Sequence, residues 1–126
     1  MDSHEILIVD DDPNVLELLR VNLASQGYLI TTAHNGVEAL AAIGQRVPEL
    51  MILDVMMPEM DGWEVCKLVR DKYQAAIKIL MLTAKDTARD KVIGKNILKA
   101  DEYMTKPFDI DELLSLVKKL LSQGAS

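Results

Sequence analysis

The chain contains a single cysteine, Cys66, so no disulfide can form within it. Cys66 falls in an apolar helical pattern and reads as a small core residue rather than a nucleophile. Positive charge is also short. Lys and Arg number 14 against 20 Asp and Glu, a formal net charge of -6, which argues against non-specific binding to nucleic acid or anionic membrane. No apolar run is long enough to span a bilayer. The opening "MDSHE" leads into a strand-like run without a basic stretch or a small-residue cleavage site, so no signal peptide is expected, and the location expected is cytoplasmic. Internal repeats, low-complexity tracts and linkers are absent. The two histidines, His4 and His34, lack convergent metal-ligand spacing and read as surface or strand-end residues.

What the chain does have is the balance of an ordinary soluble globular protein, 49% hydrophobic and 27% charged over 126 residues. That length suits one domain, 1–126, with a core over about 4–122 and a small polar tail at 123–126 that is either frayed or a linker stub. Short apolar runs alternate with amphipathic stretches. Strands are predicted at "EILIVD" (5–10), "YLITTAH" (28–34), "LMILD" (50–54), "KILMLT" (78–83) and "EYMT" (102–105). The first helix follows Asp12-Pro13, with Val15, Leu18, Leu19 and Leu23 on one face, and ends at Gly27. A second runs from about Asn35 through Ala39, Leu40 and Ile43 to Gly44. A third follows Gly62, with Val65, Cys66, Leu68 and Val69 inward. A fourth covers roughly 86–98, and a fifth follows Asp109, with Ile110, Leu113, Leu114, Val117 and Leu121 toward the core. Five strands alternating with five helices form a (βα)5 pattern: an α/β, doubly wound, five-stranded parallel sheet. Ligands of such sheets sit beyond the carboxyl ends of the strands, where strand order reverses.

Those strand ends carry the chemistry. The first strand delivers Asp10 and Asp11, the third Asp54, the fourth Thr83, and the fifth leads to Lys106. In a 2-1-3-4-5 order the first and third strands are neighbours about 4.8 Å apart, so their acids share one pocket. Clustered carboxylates without a cation are destabilising. A hard divalent ion with oxygen ligands resolves that conflict, and Mg²⁺ commonly combines one or two carboxylates with waters and a phosphate. Carboxylates, metal, hydroxyl and ammonium together are equipment for handling a phosphoryl group. Asp12, just before Pro13, reads instead as the N-cap of the first helix.

"ILIVDDDP", "LMILDVMMPEMDGWEV", "ILMLTAKD" and "DEYMTKPFDIDEL" resemble the response-regulator receiver domain of two-component signalling, in order and over essentially the whole chain. The resemblance implies a flavodoxin-like fold of the chemotaxis-regulator kind. It implies a phosphorylation-activated switch rather than an enzyme, one that assists its own phosphotransfer and autodephosphorylation. Asp54 would accept a phosphoryl group from a sensor histidine kinase or phosphotransfer protein. Asp10, Asp11, Asp54 and the backbone carbonyl of Met56 would hold Mg²⁺, with Mn²⁺ possible in its place. Thr83 and Lys106 would contact the phosphoryl oxygens. Tyr103 would turn inward as Thr83 moves, and the face made by the fourth helix, fifth strand and last helix would change. A cis peptide before Pro107 and a small residue at Ala84 belong to the same pattern, as do Pro58 and Gly62 shaping the loop after Asp54, Gly62 at an unusual backbone angle. A downstream protein or a covalently linked effector domain would receive the signal, with no direct nucleic acid or membrane contact by this domain.

Two departures stand out. Lys99 replaces a glycine that commonly ends the fourth helix, so that helix is expected to end differently. Leu116 stands where DNA-binding relatives carry an arginine used in dimerisation, although Lys91 and Glu112 retain the potential for one charge pair. A monomer or a weak phosphorylation-dependent dimer is expected. A phospho-independent binding module is the alternative reading. A haloacid-dehalogenase-type phosphatase would use Asp10 as nucleophile, but Asn14 stands where it expects Thr or Val. An EF-hand would need glycine at Val15 and glutamate at Val21, and a flavin carrier would need a phosphate loop where three acids stand. Met56 and Lys85 flank the site at positions that tune hydrolysis of the acyl phosphate in the family. An apolar Met56 cannot orient a water, so Met56→Asn is expected to shorten the lifetime of the phosphorylated form. Phosphate release from the two proteins side by side checks this, and equal rates would overturn it.

Overall fold

The computed structural model describes residues 4–57, 60–84 and 100–123. Their strands are β1 (Glu5–Val9), β2 (Leu29–Ala33), β3 (Leu50–Asp54), β4 (Lys78–Ala84) and β5 (Glu102–Lys106). The helices are α1 (Pro13–Ala24), α2 (Gly36–Gln45), α3 (Gly62–Tyr73) and a C-terminal helix (Ile110–Gln123). The sheet is wholly parallel in the order β2-β1-β3-β4-β5. The α/β doubly wound, flavodoxin-like architecture read from the sequence is therefore the one observed. The expected fourth helix, together with Pro58, Lys85, Lys91 and Lys99, lies outside the described residues.

Alternation along the central strands divides the core into two layers. Leu7, Val9, Met51, Leu53, Ile79 and Met81 face α2 and α3, where Ala39, Ile43, Val65, Cys66 and Val69 complete one cluster. Ile6, Ile8, Leu50, Ile52, Leu80 and Leu82 face the other way, against Leu16, Leu19 and Leu23 of α1 and Leu113, Val117, Leu120 and Leu121 of the C-terminal helix. Strands buried on both faces must be apolar throughout, which is why β1, β3 and β4 read as unbroken runs. β2 lies at the edge, and Leu29 there is half exposed.

Two helix faces differ from expectation. In α1 the buried series is Leu16, Leu19 and Leu23, while Leu18 is exposed, because the 3-4 spacing that includes Leu16 puts Leu18 on the opposite side. In α3 Leu68 lies on the flank of the buried arc formed by Val65, Cys66 and Val69, and it too is exposed. In the C-terminal helix Leu120 joins the core beside the expected residues. Leu116 is half-buried against that same cluster, so it serves packing.

Caps fix the helix starts at the edge that carries the strand ends. Asp12 accepts from the Asn14 N–H at 2.9 Å, with Pro13 in the first turn of α1. Asn35 accepts from Glu38 N–H at 2.8 Å, Asp61 from Glu64 N–H at 3.0 Å, and Asp109 from Asp111 N–H at 2.8 Å. At the opposite edge Arg70 ties the end of α3 to the sheet. It donates to the carbonyls of Gln74 at 2.7 Å and Ile77 at 2.6 Å and to Asp101 Oδ2 at 2.5 Å. Asp101 also accepts from Ile79 N–H at 2.7 Å, which joins the starts of β4 and β5. The same arginine thereby supports Gln74, whose φ of 53° is the one positive value at a non-glycine position among the described residues.

Gly62 corrects one expectation. Its backbone angle is unremarkable, since the positive-φ glycine among the described residues is Gly27 at 94°. Space is what demands glycine at 62. A Cβ there would press into the Asp54 carbonyl oxygen and meet Val55 Cα at 2.8 Å, because the Gly62 N–H donates to Val55 O at 2.9 Å and draws α3 onto the end of β3. Gly62→Ala is expected to cost about 1–3 kcal/mol through this overlap. Denaturant unfolding checks it, and a loss below about 0.5 kcal/mol would show that the loop yields freely.

Candidate functional site

Three strands carry acids or a lysine into one cleft. β1 runs directly into Asp10, which is fully buried, and its carboxylate accepts from the Asp12 N–H at 2.9 Å. Asp11 follows it at the exposed rim. β3 ends on Asp54, also buried, whose Oδ1 accepts from the Met56 N–H at 3.3 Å. Carboxylate oxygens of Asp10, Asp11 and Asp54 all lie within 4.8 Å of one another. β5 ends on Lys106, followed by a cis bond to Pro107. Its ammonium sits 2.8 Å from Asp10 Oδ2 and 3.4 Å from Asp54 Oδ1.

The electrostatics are unbalanced. Burial raises Asp54 to about 6, the nearby Asp10 carboxylate adds to the rise, and Lys106 and the Met56 N–H oppose it. Lys106 goes up in turn: burial pulls it down, but its bonds and attraction to Asp10 and Asp54 more than offset that. Among the described residues three carboxylates face one ammonium, so the cluster carries more acid than base. The donors are all hard oxygens, with no histidine or cysteine among them. Such a set fits a hard divalent cation.

Thr83 is buried on β4, opposite Thr105 in the β4–β5 register, and Ala84 is opposite Lys106. Tyr103, opposite Met81, is half-buried against the cluster that contains Met81 and Ile79. Alternation puts Thr83 on that same face of the sheet, so Thr83 and Tyr103 share a side. Met56 is 64% exposed and meets the site through its backbone.

A sequence model of the response regulator receiver domain matches residues 6–118. The chain belongs to that family. This receiver domain is also 48% identical over 122 residues to the alkaline phosphatase synthesis transcriptional regulatory protein PhoP of Bacillus subtilis (strain 168). The alignment takes in 97% of the chain but only 50% of PhoP, so the chain spans about half the length of that curated relative. The chemotaxis protein CheY4 of Vibrio cholerae superposes with a TM-score of 0.87 at 33% identity, covering 94% of this chain and 99% of the other. The response regulator protein TrrA of Thermotoga maritima, solved in complex with Mg²⁺-BeF, gives 0.82 at 44% identity, covering 93% and 98%.

Asp10, Asp11, Asp54, Met56, Thr83 and Lys106 thus lie at the carboxyl-terminal edge of the sheet, while Tyr103 sits further back, opposite Met81. What the sequence reading missed is the state of Lys106, which pairs with Asp10 and Asp54 rather than waiting for an incoming phosphoryl group. The count of acids against one lysine at the strand ends was the available signal. The bland readings of the histidines agree with the structure: His4 pairs with Glu49 and His34 with Glu38. Burial pushes the Cys66 thiol up to about 11, so it stays protonated in the core.

Asp54 imposes a pH dependence of defined sign. Its ordinary value is 3.8 and its folded value about 6, so between those limits the folded chain holds a proton that the unfolded chain has released. Raising the pH through that window costs stability. In metal-free buffer Asp54→Asn is expected to stabilise the receiver by about 1–2 kcal/mol at pH 7, with the gain gone by pH 4. Thermal unfolding at the two pH values measures this. An equal gain at both would remove the buried charge as its cause.

Proposed function

We propose that this receiver domain is a phosphorylation-activated switch, with Asp54 as the acceptor. A carboxylate oxygen of Asp54 attacks the phosphorus of a phosphohistidine on a partner kinase or phosphotransfer protein. The O–P bond forms as the N–P bond breaks, and the histidine ring leaves with its nitrogen lone pair. The observation that carries this reading is the placement of Asp54. It is buried between the Asp10 and Lys106 side chains at the open end of a parallel sheet, yet only partly neutralised there.

Asp10, Asp11 and Asp54, together with the Met56 carbonyl, would hold Mg²⁺ or Mn²⁺, and the TrrA complex with Mg²⁺-BeF supports that choice. The ion, when bound, neutralises charge on the phosphoryl group during transfer. Lys106 holds its ammonium between Asp10 and Asp54, ready to exchange a carboxylate contact for a phosphoryl oxygen. Thr83, at the end of the next strand, donates its hydroxyl to another. The phosphoryl group replaces one charge on Asp54 with nearly two and adds three strong acceptors. A hydroxyl drawn toward them leaves room on the face it shares with Tyr103. Inward rotation of that ring then transmits the change to the β5 edge, biasing an equilibrium between two arrangements. The likeness to half of a transcriptional regulator supports an output carried by a linked effector domain or a separate downstream protein. The domain is proposed to span 1–126 and to act in the cytoplasm.

Incubation with a small phosphodonor and Mg²⁺, read by intact mass, is expected to add one phosphate. Asp54→Asn should abolish the addition, and chelation of the metal should slow it at least tenfold. Phosphate mapped to Asp10 would transfer the nucleophile's role to that residue. No uptake by the folded protein would favour the phospho-independent binding module.

A further inference from the structure

β5 is the weak point in the placement of Lys106. It is paired with β4 alone among the described strands, and each of its five residues is half-buried. Burial specifies a strand's register when a slip would move side chains out of the core. Here that penalty is small. Tyr103 packs against the layer covered by α2 and α3, and Met104 against the layer covered by α1 and the C-terminal helix. A slip of one residue would only exchange one large apolar side chain for the other. The same slip would carry Lys106 to the opposite face, and a slip of two would move it roughly 6–7 Å along the strand. Either removes the ammonium from its contacts at 2.8 Å to Asp10 and 3.4 Å to Asp54.

The residue just before β5 supplies what burial does not. Asp101 grips Ile79 at two points: its N–H donates to the Ile79 carbonyl at 3.0 Å, and its Oδ2 accepts from the Ile79 N–H at 2.7 Å. The neighbouring Lys78 N–H is already spent on the other side of β4, where it donates to the Glu49 carbonyl at 2.9 Å. A slip by one residue toward Lys78 therefore offers the carboxylate no N–H. Arg70 holds that carboxylate in place, donating to the same Oδ2 at 2.5 Å. Its guanidinium is itself anchored on the carbonyls of Gln74 at 2.7 Å and Ile77 at 2.6 Å, and only 14% of the side chain is exposed. Lys78 stands further off, 3.9 Å from Oδ1. We propose that Arg70 and Asp101 are positioning residues for Lys106: they set the register of β5 on β4 and so hold the ammonium in the cleft at the far end of the strand. Their bearing on phosphotransfer rests on the role read for Asp54, but their hold on Lys106 does not.

Heteronuclear NMR of the metal-free receiver reads the register directly. In the wild type, cross-strand contacts should join Met81 to Tyr103 and Thr83 to Thr105, and the Lys106 ammonium should give a protected nitrogen signal. In Asp101→Ala a second set of contacts, shifted by one or two residues, should appear and the Lys106 signal should be lost. Arg70→Gln, which keeps the Asp101 bonds to Ile79 possible, should show the same changes to a smaller extent, and it decides the matter if Asp101→Ala does not fold. Ile43→Ala, a core truncation in α2, should lower stability while keeping both the contacts and the signal. With a small phosphodonor and Mg²⁺, Asp101→Ala should slow uptake about tenfold or more, yet add no further loss once Lys106→Met is in place. Wild-type contacts and an intact Lys106 signal in a folded Asp101→Ala or Arg70→Gln chain would overturn the proposal. So would an equal loss of register in Ile43→Ala, or an equal slowing with Lys106 already removed. A wild-type chain that takes up no phosphate would overturn the role of Asp54, and the cross-strand contacts would still decide the register.

Discussion

Two buried carboxylates share the Lys106 ammonium, and the architecture at this end of the molecule follows from that shortage. Asp10 and Asp54 end adjacent strands of a parallel sheet, so the register that buries Val9 and Leu53 also brings the two acids together. Neither can turn away without dragging a core residue with it. Lys106 reaches across from β5 to relieve part of the repulsion, 2.8 Å from Asp10 and 3.4 Å from Asp54. The balance left over is held by the fold and is available to a cation. Hydrophobic burial on both sheet faces offsets what the acids cost.

The two edges of the sheet are built for different purposes. At the edge away from the cleft, Arg70 and Asp101 join the end of α3 to the starts of β4 and β5 through a set of short, largely shielded contacts. At the cleft edge the same two strands present Thr83 and Lys106. A sheet clamped at one end and electrostatically poised at the other can change locally without losing its register. Gly62 contributes to this division by letting α3 approach the carbonyl of Asp54, which ties that residue's backbone to a helix.

The alternation of strands and helices and the acids at the strand ends were legible because both depend on local pattern, and the sheet order came with the family resemblance. Unbroken apolar runs mark strands covered on two sides, and the acids at their ends can only emerge where the strands stop. The helix faces were less legible. Leu18 and Leu68 look like core by composition, but a helix buries only one arc, and which arc is set by the sheet it lands on. Gly62 was recognised as necessary for the wrong reason: a glycine demanded by a close neighbour and one demanded by a backbone angle look identical in a sequence. Asp61, Asn35 and Asp109 were not singled out as caps, although each lies just before a helix.

The amino-acid sequence by itself determined the alternation of strands and helices, the edge at which the acids and the lysine would gather, and the family to which the chain belongs. These are fixed by periods of two and 3.6 residues and by motifs read along the chain. Only the tertiary structure decided that Lys106 is bound by Asp10 and Asp54, that Arg70 reaches Asp101 across 31 residues, and that Leu68 is exposed. Each of those depends on distances between segments remote in sequence, and a linear pattern carries no record of which of several charged or apolar side chains will be nearest once the layers have packed.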